Sequence, residues 1–255
     1  MTRRVAAVVY GGGAYLAFLA SFAYLVGFVG DVAVPKGIDD GPAGSAALAV
    51  AVDLALVAVF ALQHSVMSRP GFKRAWTRVV PASLERSTYV LVASAVLTLL
   101  LVLWRPLPDL VWSVGPAWAR GVLWILFAAG WVVVVASTFL IGHFDMFGLK
   151  QVLARWQQHP YAEPAFKVPG LYKLVRHPLY VGFLIAFWAA PDLSVGRMLF
   201  AASMTGWVVV AVRFEERDLV EALGEPYAAY ADQVPRFVPG AHAVPVVRRR
   251  GTLSA

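Results

Sequence analysis

Residues 119–141 read ARGVLWILFAAGWVVVVASTFLI, and this stretch decides the fold class. After Arg120 it contains no charged residue, and a helix of about 20 apolar residues crosses the ~30 Å hydrocarbon layer of a bilayer. Three other runs have a similar length and composition, namely Val5–Val29, Ala43–Leu62 and Ser87–Trp104. The sequence therefore predicts an integral membrane protein built from helices.

The composition excludes an ordinary water-soluble domain. Hydrophobic residues make up 60% of the 255 residues and charged residues only 15%, whereas soluble domains carry about 25% charged residues. The absence of cysteine excludes disulfides, thiolate metal sites and a cysteine nucleophile. The apolar run that follows Arg3 and Arg4 is too long for a cleaved signal peptide, so we expect a retained anchor.

Two shorter apolar runs follow, Leu179–Ala190 and Val195–Val212, and residues 191–194 are expected to form a tight turn between them. We predict an all-α, polytopic transmembrane bundle of about five to six spans, in which the last two helices form a short hairpin. Whether the fifth run crosses fully stays open. Leu149, Val152, Leu153 and Trp156 have helical spacing and predict a cytoplasmic interfacial helix. Residues 1–240 are expected to form one membrane domain and residues 241–255 a disordered basic tail.

The basic residues predict the orientation. Only four of the 22 lysines and arginines fall on one side of this topology, and cytoplasmic loops are enriched in these residues. We therefore expect a cytoplasmic (inner) membrane protein with both termini in the cytoplasm. The lipid bilayer then accounts for the net charge of +7, so neither nucleic acid nor an obligate protein partner is expected. The four exceptions are Lys36, Arg105, Arg120 and Arg197. The extracytoplasmic loops, Asp31–Pro42 and Arg105–Trp118, are Gly/Pro-rich and are expected to carry little chemistry.

One polar cluster precedes the fifth run, within residues 168–182, VPGLYKLVRHPLYVG. Pro178 suits the first turn of a helix because its missing N–H costs nothing there. The free N–H groups of that turn, beside Arg176 and His177, favour a carboxylate or phosphate ligand. A basic flank that only anchors the span is an equal alternative.

A second polar cluster follows the sixth run, with the pair Glu215–Glu216 followed by Asp218, Glu221 and Glu225. Carboxylates are unusual at a cytoplasmic membrane face, where anionic lipids repel them, so the cluster suggests a cationic ligand. The alternative is a solvated helix in which Arg217 pairs with Glu221 at a spacing of four residues.

Taken in order, these two clusters and residues 223–239 (LGEPYAAYADQVPRFVP) resemble the membrane methyltransferase superfamily. This superfamily includes isoprenylcysteine carboxyl methyltransferases, phospholipid methyltransferases and NnrU-like proteins. The resemblance implies S-adenosylmethionine as the cofactor. It also implies a cofactor site on the cytoplasmic side formed by Gly170, Tyr172, Arg176, His177, Pro178, Tyr180, Gly182, Glu215 and Glu216.

The N-terminal half extends the resemblance. Residues 60–73, FALQHSVMSRPGFK, and 142–151, GHFDMFGLKQ, are similar to stretches of bacterial methanethiol S-methyltransferases, although Ser68 stands where alanine is expected. The resemblance implies methylation of methanethiol, a small volatile thiol, to dimethyl sulfide. Two alternatives stay open, a methyltransferase for a larger thiol, prenyl or lipid acceptor, and a non-catalytic transporter or scaffold with the same fold.

A thiol becomes a good nucleophile only after it loses its proton. Residues able to assist this step lie at the predicted cytoplasmic ends of the spans, and histidine titrates near neutral pH. The alternative is that Asp145 pairs with Arg86, and His64 with Glu85, as helix caps. The catalytic candidates are His143, Asp145, His64, Arg86 and Glu85.

Two further features are given structural interpretations. Asp53 lies in the middle of a predicted span and too far along it to share a site with His64, so we expect it to hydrogen-bond to a neighbouring helix. A metal site built from His64 and His143 has little support because no H-x-x-x-H spacing occurs, and no metal is predicted.

Overall fold

The computed structural model of this chain describes residues 1–42 and 44–241. Within them, five helices are long and apolar enough to cross a bilayer, namely Thr2–Gly30, Ala46–Ser68, Ala82–Leu103, Ala117–Ile141 and Val195–Leu223. This confirms a polytopic, all-α membrane protein. The helices are α1 (Thr2–Gly30), α2 (Ala46–Ser68), α3 (Pro70–Trp76), α4 (Ala82–Leu103), α5 (Ala117–Ile141), α6 (His143–Met146), α7 (Leu149–Gln157), α8 (Pro178–Trp188), α9 (Val195–Leu223) and α10 (Glu225–Gln233). A 3-10 turn covers Gly170–Lys173, and two short strands are β1 (Leu110–Ser113) and β2 (Asp192–Ser194).

The two strands correct the prediction of a tight turn at residues 191–194. There the chain is extended, and β2 pairs antiparallel with β1, with Leu110 opposite Ser194 and Ser113 opposite Asp192. The pairing arises because buried backbone groups need hydrogen-bond partners. The Val114 N–H, for example, donates to the Pro191 carbonyl at 2.9 Å. We call this end of the bundle the sheet end.

Helix α8 is too short to cross a bilayer by itself. Its 11 residues span only about 16 Å at ~1.5 Å per residue. The extended residues 189–194 continue the path to the sheet end, where the Val195 N–H donates to the Asp109 carbonyl at 2.8 Å. The fifth predicted run is therefore a half-length helix, and the strand that follows it continues the chain to the sheet end.

The opposite end, which we call the site end, is marked by Glu216 near the end of α9. Helix α9 has 29 residues, and Glu215 lies about 30 Å along it from Val195 at ~1.5 Å per residue. A salt bridge of 2.9 Å between Arg69 and Asp218 joins the end of α2 to α9 here. Helix α9 is thus long enough to cross a hydrocarbon layer of ~30 Å and to place its acidic residues at the far edge of that layer.

The sheet end contains more polar structure than the loop sequences predicted. Arg197 is buried and its Nε lies 3.2 Å from Asp39, which also accepts the Ser194 hydroxyl at 2.5 Å. Lys36 donates to the carbonyls of Val102 and Trp104, at 2.7 Å each, and so caps α4. The Gly/Pro-rich loops, expected to carry little chemistry, form an ordered network that closes this end.

Asp53 has the structural role expected from the sequence. It is fully buried in α2, and its Oδ1 accepts the Arg105 backbone N–H at 2.9 Å, immediately after α4. The carboxylate thus ties two neighbouring spans together at the sheet end.

The core between the two ends is apolar and aromatic. Trp104 is almost fully buried, and its ring lies edge-on to Phe28 at 6.1 Å and to Phe200 at 5.6 Å. Val152 of α7 packs against Gly11 of α1, where an added Cβ would lie 2.8 Å from its side chain. Helix α7 confirms the short helix predicted from the spacing of Leu149, Val152, Leu153 and Trp156. Residues 242–255, expected to form a basic tail, lie outside the described residues, as does Ala43.

Candidate active site

Glu216 lies at the centre of a buried charged cluster at the site end. Its side chain is fully buried, and Oε1 lies 2.8 Å from Arg176 Nε and 3.1 Å from His177 Nε2. The other oxygen, Oε2, accepts from Arg236 Nε at 2.9 Å and Nη2 at 2.6 Å. Both carboxylate oxygens are therefore engaged by cationic or imidazole groups, as burial of a charge requires.

Backbone hydrogen bonds hold the same cluster in place. The Arg176 N–H donates to the Pro235 carbonyl at 2.8 Å, and the His177 N–H donates to the Arg236 carbonyl at 3.1 Å. The Arg176 guanidinium also donates to the carbonyls of Ala231 and Val234. The segment after α10 is thus fastened along the start of α8, where Pro178 occupies the first turn.

Glu215 points to a different environment from Glu216. It is half-buried, and its Oε2 accepts the Tyr180 hydroxyl at 2.9 Å. Burial raises the pKa of Tyr172, and the Glu215 charge raises that pKa further. Tyr89 of α4 is also within electrostatic range of Glu215. A carboxylate surrounded by tyrosines is an environment suited to an organic cation.

The two predicted glycines have different roles. Gly170 begins the 3-10 turn at a φ of +49°, a conformation that other residues rarely adopt. The turn places Tyr172, whose carbonyl accepts the Tyr230 hydroxyl at 2.7 Å.

Gly182, predicted with the cofactor residues, lies on the face of α8 that packs against α5. An added Cβ would lie 2.6 Å from the Gly130 carbonyl oxygen and 2.8 Å from the Val134 backbone nitrogen. Since positions two apart on a helix face roughly opposite directions, Gly182 faces away from Tyr180. The structure therefore shows a packing role for Gly182, and its place in the cofactor site stays a prediction.

His64 lies near the end of α2 and is paired with Tyr89 instead of Glu85. The Tyr89 hydroxyl lies 2.8 Å from His64 Nε2. The Trp207 ring meets the imidazole edge-on at 5.3 Å, and the Phe60 ring lies 5.5 Å away. Nδ1 is shielded from solvent and has no hydrogen-bond partner among the residues that the structure describes.

His143, by contrast, has both ring nitrogens engaged. Nδ1 lies 2.8 Å from the Thr138 hydroxyl and Nε2 lies 2.7 Å from the Tyr15 hydroxyl. The Thr138 hydroxyl donates to the Val135 carbonyl at 2.7 Å, so it must accept from Nδ1–H, and Tyr15 then donates to Nε2. Burial lowers the pKa of His143, which favours this neutral form.

Asp145 borders a cavity of about 340 Å³ that is also lined by Lys150, His159 and Tyr161. Lys150 Nζ lies 2.5 Å from Asp145 Oδ2, and the Tyr161 hydroxyl donates to Oδ1 at 3.2 Å. Burial raises the pKa of Tyr161 to about 12, and Asp145 adds to the shift. The pairing with Arg86 considered from the sequence is thus replaced by one with Lys150.

Arg86 and Glu85 lie near the start of α4. Arg86 is within electrostatic range of His64 and of Tyr161, and its guanidinium lies 5.9 Å from the centre of the Tyr89 ring. Glu85 also acts electrostatically on Tyr89. The five catalytic candidates therefore share the site end, but His64 and Asp145 contact different partners.

Comparison with known proteins agrees with the motifs gathered here. Residues 54–247 match the family model described as NnrU protein. The chain belongs to the NnrU family. The match begins in α2 and so includes the segments that carry His64, His143, His177 and Glu216.

Within the NnrU family, the chain is similar over almost its whole length to enzymes with one activity. It is 50% identical to methanethiol S-methyltransferase of Mycobacterium tuberculosis over 240 residues, which covers 94% of this chain and 98% of the relative. It is 50% identical to the methanethiol S-methyltransferase of a Pseudomonas species, covering 92% and 91% of the two chains. Methanethiol S-methyltransferase 2 of Bradyrhizobium diazoefficiens is 46% identical, covering 94% and 92%. No solved structure matches.

Three residues of this NnrU-family site were not singled out from the sequence. Arg236 and Tyr227 lie within residues 223–239, quoted for the resemblance, whereas Tyr89 lies in α4 outside the quoted stretches. Arg236 donates to the second carboxylate oxygen of Glu216, and Tyr89 is hydrogen-bonded to His64. Tyr227 is buried, and its hydroxyl has no hydrogen-bond partner within the described part of the chain. In the same residues, no group of three or more histidine or acidic side chains is arranged to hold a metal ion.

Proposed function

We propose that this chain transfers a methyl group from S-adenosylmethionine to the sulfur of methanethiol and so produces dimethyl sulfide. The relatives named for this reaction are up to 50% identical over more than nine tenths of the chain. The observation that carries the proposal is that Arg176, His177 and Tyr180 meet Glu215 and Glu216 at one site, although about 35 residues separate the two motifs.

The residues present fit such a methyl donor. S-adenosylmethionine carries a sulfonium and an ammonium, and Glu215 supplies a half-buried carboxylate beside the rings of Tyr172 and Tyr180. The buried Tyr227 hydroxyl, which lacks a partner in the described residues, supplies a polar group within electrostatic range of Glu215. In this proposal Glu215, Tyr172, Tyr180 and Tyr227 hold the donor.

Glu216 acts on the donor site indirectly. Because both of its oxygens are occupied by Arg176, His177 and Arg236, it is a positioning residue. Its cluster fixes the start of α8 against α9 and thereby sets the place of Tyr180 relative to Glu215, which lies next to Glu216 in the chain.

The reaction requires a thiolate and an aligned methyl group. When bound, S-adenosylmethionine supplies an electrophilic methyl group on a sulfonium. The thiol S–H bond breaks and its proton passes to the protein, a new S–CH₃ bond forms, and the C–S bond of the donor breaks. Exclusion of water favours this union of opposite charges. The residues proposed to assist are His64, His143, Asp145, Arg86 and Glu85.

We also propose that the protein lies in the cytoplasmic membrane with both termini in the cytoplasm. The support is the bias of lysine and arginine toward the site end, where Arg236 and the start of α1 lie. On this orientation the donor site faces the cytoplasm.

The test is turnover by the detergent-purified protein supplied with methanethiol and S-adenosylmethionine, with dimethyl sulfide measured by gas chromatography. We expect product formation that depends on both reactants. A protein that binds the donor in calorimetry but methylates only long-chain thiols would indicate a larger acceptor. Absence of both donor binding and product would overturn the proposal in favour of a non-catalytic membrane protein.

A further inference from the structure

Of the two candidate histidines, only His64 has a ring nitrogen without a hydrogen-bond partner in the described residues. Its Nδ1 is shielded from solvent and has no partner in the described residues, whereas Nε2 lies 2.8 Å from the Tyr89 hydroxyl. A buried polar atom without a partner costs about 1–3 kcal/mol. A bound substrate or a catalytic role is one explanation for such an atom.

His143 does not offer such an atom. Thr138 accepts from its Nδ1, and Tyr15 donates to its Nε2, so the neutral ring has no lone pair left for a substrate proton. Its ring also stacks on Phe139, with a centroid distance of 4.3 Å and an interplanar angle of 4°. These contacts leave His143 unable to accept the thiol proton directly.

The environment of His64 connects it to the donor site. Tyr89, its hydrogen-bond partner, is within electrostatic range of both Glu215 and Tyr180. The Tyr180 hydroxyl in turn donates a hydrogen bond to Glu215. Trp207, whose ring meets the imidazole, lies on α9 about two turns before Glu215. The aromatic rings of Trp207 and Phe60, 5.3 and 5.5 Å from the imidazole, give it an apolar environment that suits a small thiol better than a charged group.

We propose that His64 Nδ1 accepts the proton of the thiol, and that Tyr89 is a positioning residue that selects the required tautomer. This inference rests on the proposed function. By accepting the Nε2–H, the Tyr89 oxygen keeps the lone pair on Nδ1. The S–H bond breaks, an Nδ1–H bond forms, and the sulfur electrons form the bond to the methyl group, while the methyl–sulfonium bond of the donor breaks and leaves a neutral thioether. The imidazolium then releases one proton to solvent for each turnover.

The charges around this pair favour proton release. Arg86 acts electrostatically on both His64 and Tyr89. A neighbouring cation stabilises the thiolate and disfavours the positively charged imidazolium, which therefore releases its proton readily. These groups also bear on any pH dependence of the pair. The titratable and charged residues that face Tyr89 are Arg86, Glu85, Arg69, Glu215 and Tyr180.

The test compares Tyr89→Phe with Tyr10→Phe across pH. Tyr10 is a matched control because its hydroxyl donates to Oγ1 of Thr88, the residue before Tyr89 in α4, at 3.0 Å, and it contacts no histidine among the described residues. We expect Tyr89→Phe to lower kcat about tenfold at pH 7, since one hydrogen bond is lost. The deficit should shrink as pH rises above the pKa of the thiol, because ionised substrate needs no base. Tyr10→Phe should keep the wild-type profile.

His64→Ala provides the second measurement. General-base catalysis contributes about 10²- to 10⁴-fold, so kcat at pH 7 should fall by at least about 100-fold, and the loss should diminish at high pH. Calorimetric binding of S-adenosylmethionine at the wild-type affinity would show that the variant is folded.

A deficit of Tyr89→Phe or of a folded His64→Ala that is constant across pH would overturn the inference, as would identical profiles for Tyr89→Phe and Tyr10→Phe. A wild-type protein that produces no dimethyl sulfide would instead refute the proposed function itself.

Discussion

Arg236 holds Glu216 with two nitrogens, since its Nε and Nη2 lie 2.9 and 2.6 Å from the same carboxylate oxygen. Arg176 and His177 occupy the other oxygen, so three segments of the chain converge on one fully buried carboxylate. This arrangement separates the roles of the adjacent residues Glu215 and Glu216.

Replacing Glu216 should destabilise the protein. In Glu216→Ala the buried Arg176 guanidinium loses its counter-charge, and removal of one partner from a buried pair costs about 3–5 kcal/mol. Thermal unfolding in detergent measures the loss. Glu221→Ala, an exposed position on the same helix, should melt close to the wild type. Equal melting of the two variants would contradict the central role of Glu216.

Replacing Glu215 should weaken donor binding without a comparable loss of stability. Glu215→Gln keeps the shape and the acceptor for Tyr180 but removes the charge opposite the donor cations. A charged hydrogen bond contributes about 1.5–3 kcal/mol, so the Kd of S-adenosylmethionine should rise at least about tenfold. Isothermal titration calorimetry measures the change, with Glu221→Gln as the control. An unchanged Kd would remove Glu215 from the donor site.

The contact between α5 and α8 should not tolerate a side chain at Gly130 or Gly182. In Gly182→Ala or Gly130→Ala, the new Cβ would lie 2.6–2.7 Å from the carbonyl oxygen of the opposite glycine, and backbone atoms cannot rotate away. Overpacking of this kind costs about 1–3 kcal/mol. Gly206→Ala is the control because nothing lies within 4 Å of its added Cβ. We expect Gly206→Ala to melt no lower than the wild type; equal destabilisation of all three variants would contradict the tight contact.

His143 should make the folded state sensitive to mild acid. Because burial lowers the pKa of His143 in the fold, the unfolded chain, with a histidine pKa of about 6.5, binds a proton first as pH falls. Its contribution to stability is therefore complete above about pH 6.5 and is lost on further acidification. The melting temperature of the wild type should fall more between pH 7.5 and 5.5 than that of His143→Gln. His159→Gln, at an exposed position, should behave like the wild type.

The long helices were predictable because a span needs about 20 apolar residues in sequence, a signal that is entirely local. The β1–β2 pair was missed for the opposite reason. A three-residue strand has no periodicity of its own, and its partner lies about 80 residues away. Residues 191–194 therefore resemble a turn until Leu110–Ser113 is placed beside them.

Sequence motifs predict which residues belong to the candidate site, but only the fold shows which of their side chains pair with one another. Glu85 and Tyr89 lie one turn apart on α4, so either side chain suits a histidine on α2, and only the fold selects Tyr89. Arg236 is separated from Glu216 by α10 and a turn, and no spacing rule pairs them. The close contact of Gly182 with α5 was likewise not predictable, because the partner helix lies about 50 residues earlier in the chain.

The length of α9 has a consequence for how the proposed reaction is supplied. Its first ~30 Å match the thickness of the oily layer, so Glu215 stands where that layer meets water while Trp207 remains within it. A volatile thiol dissolves readily in lipid, and a charged methyl donor does not. Each reactant would then approach from the medium in which it is concentrated, and the neutral sulfide would depart into the lipid without competing with the incoming donor.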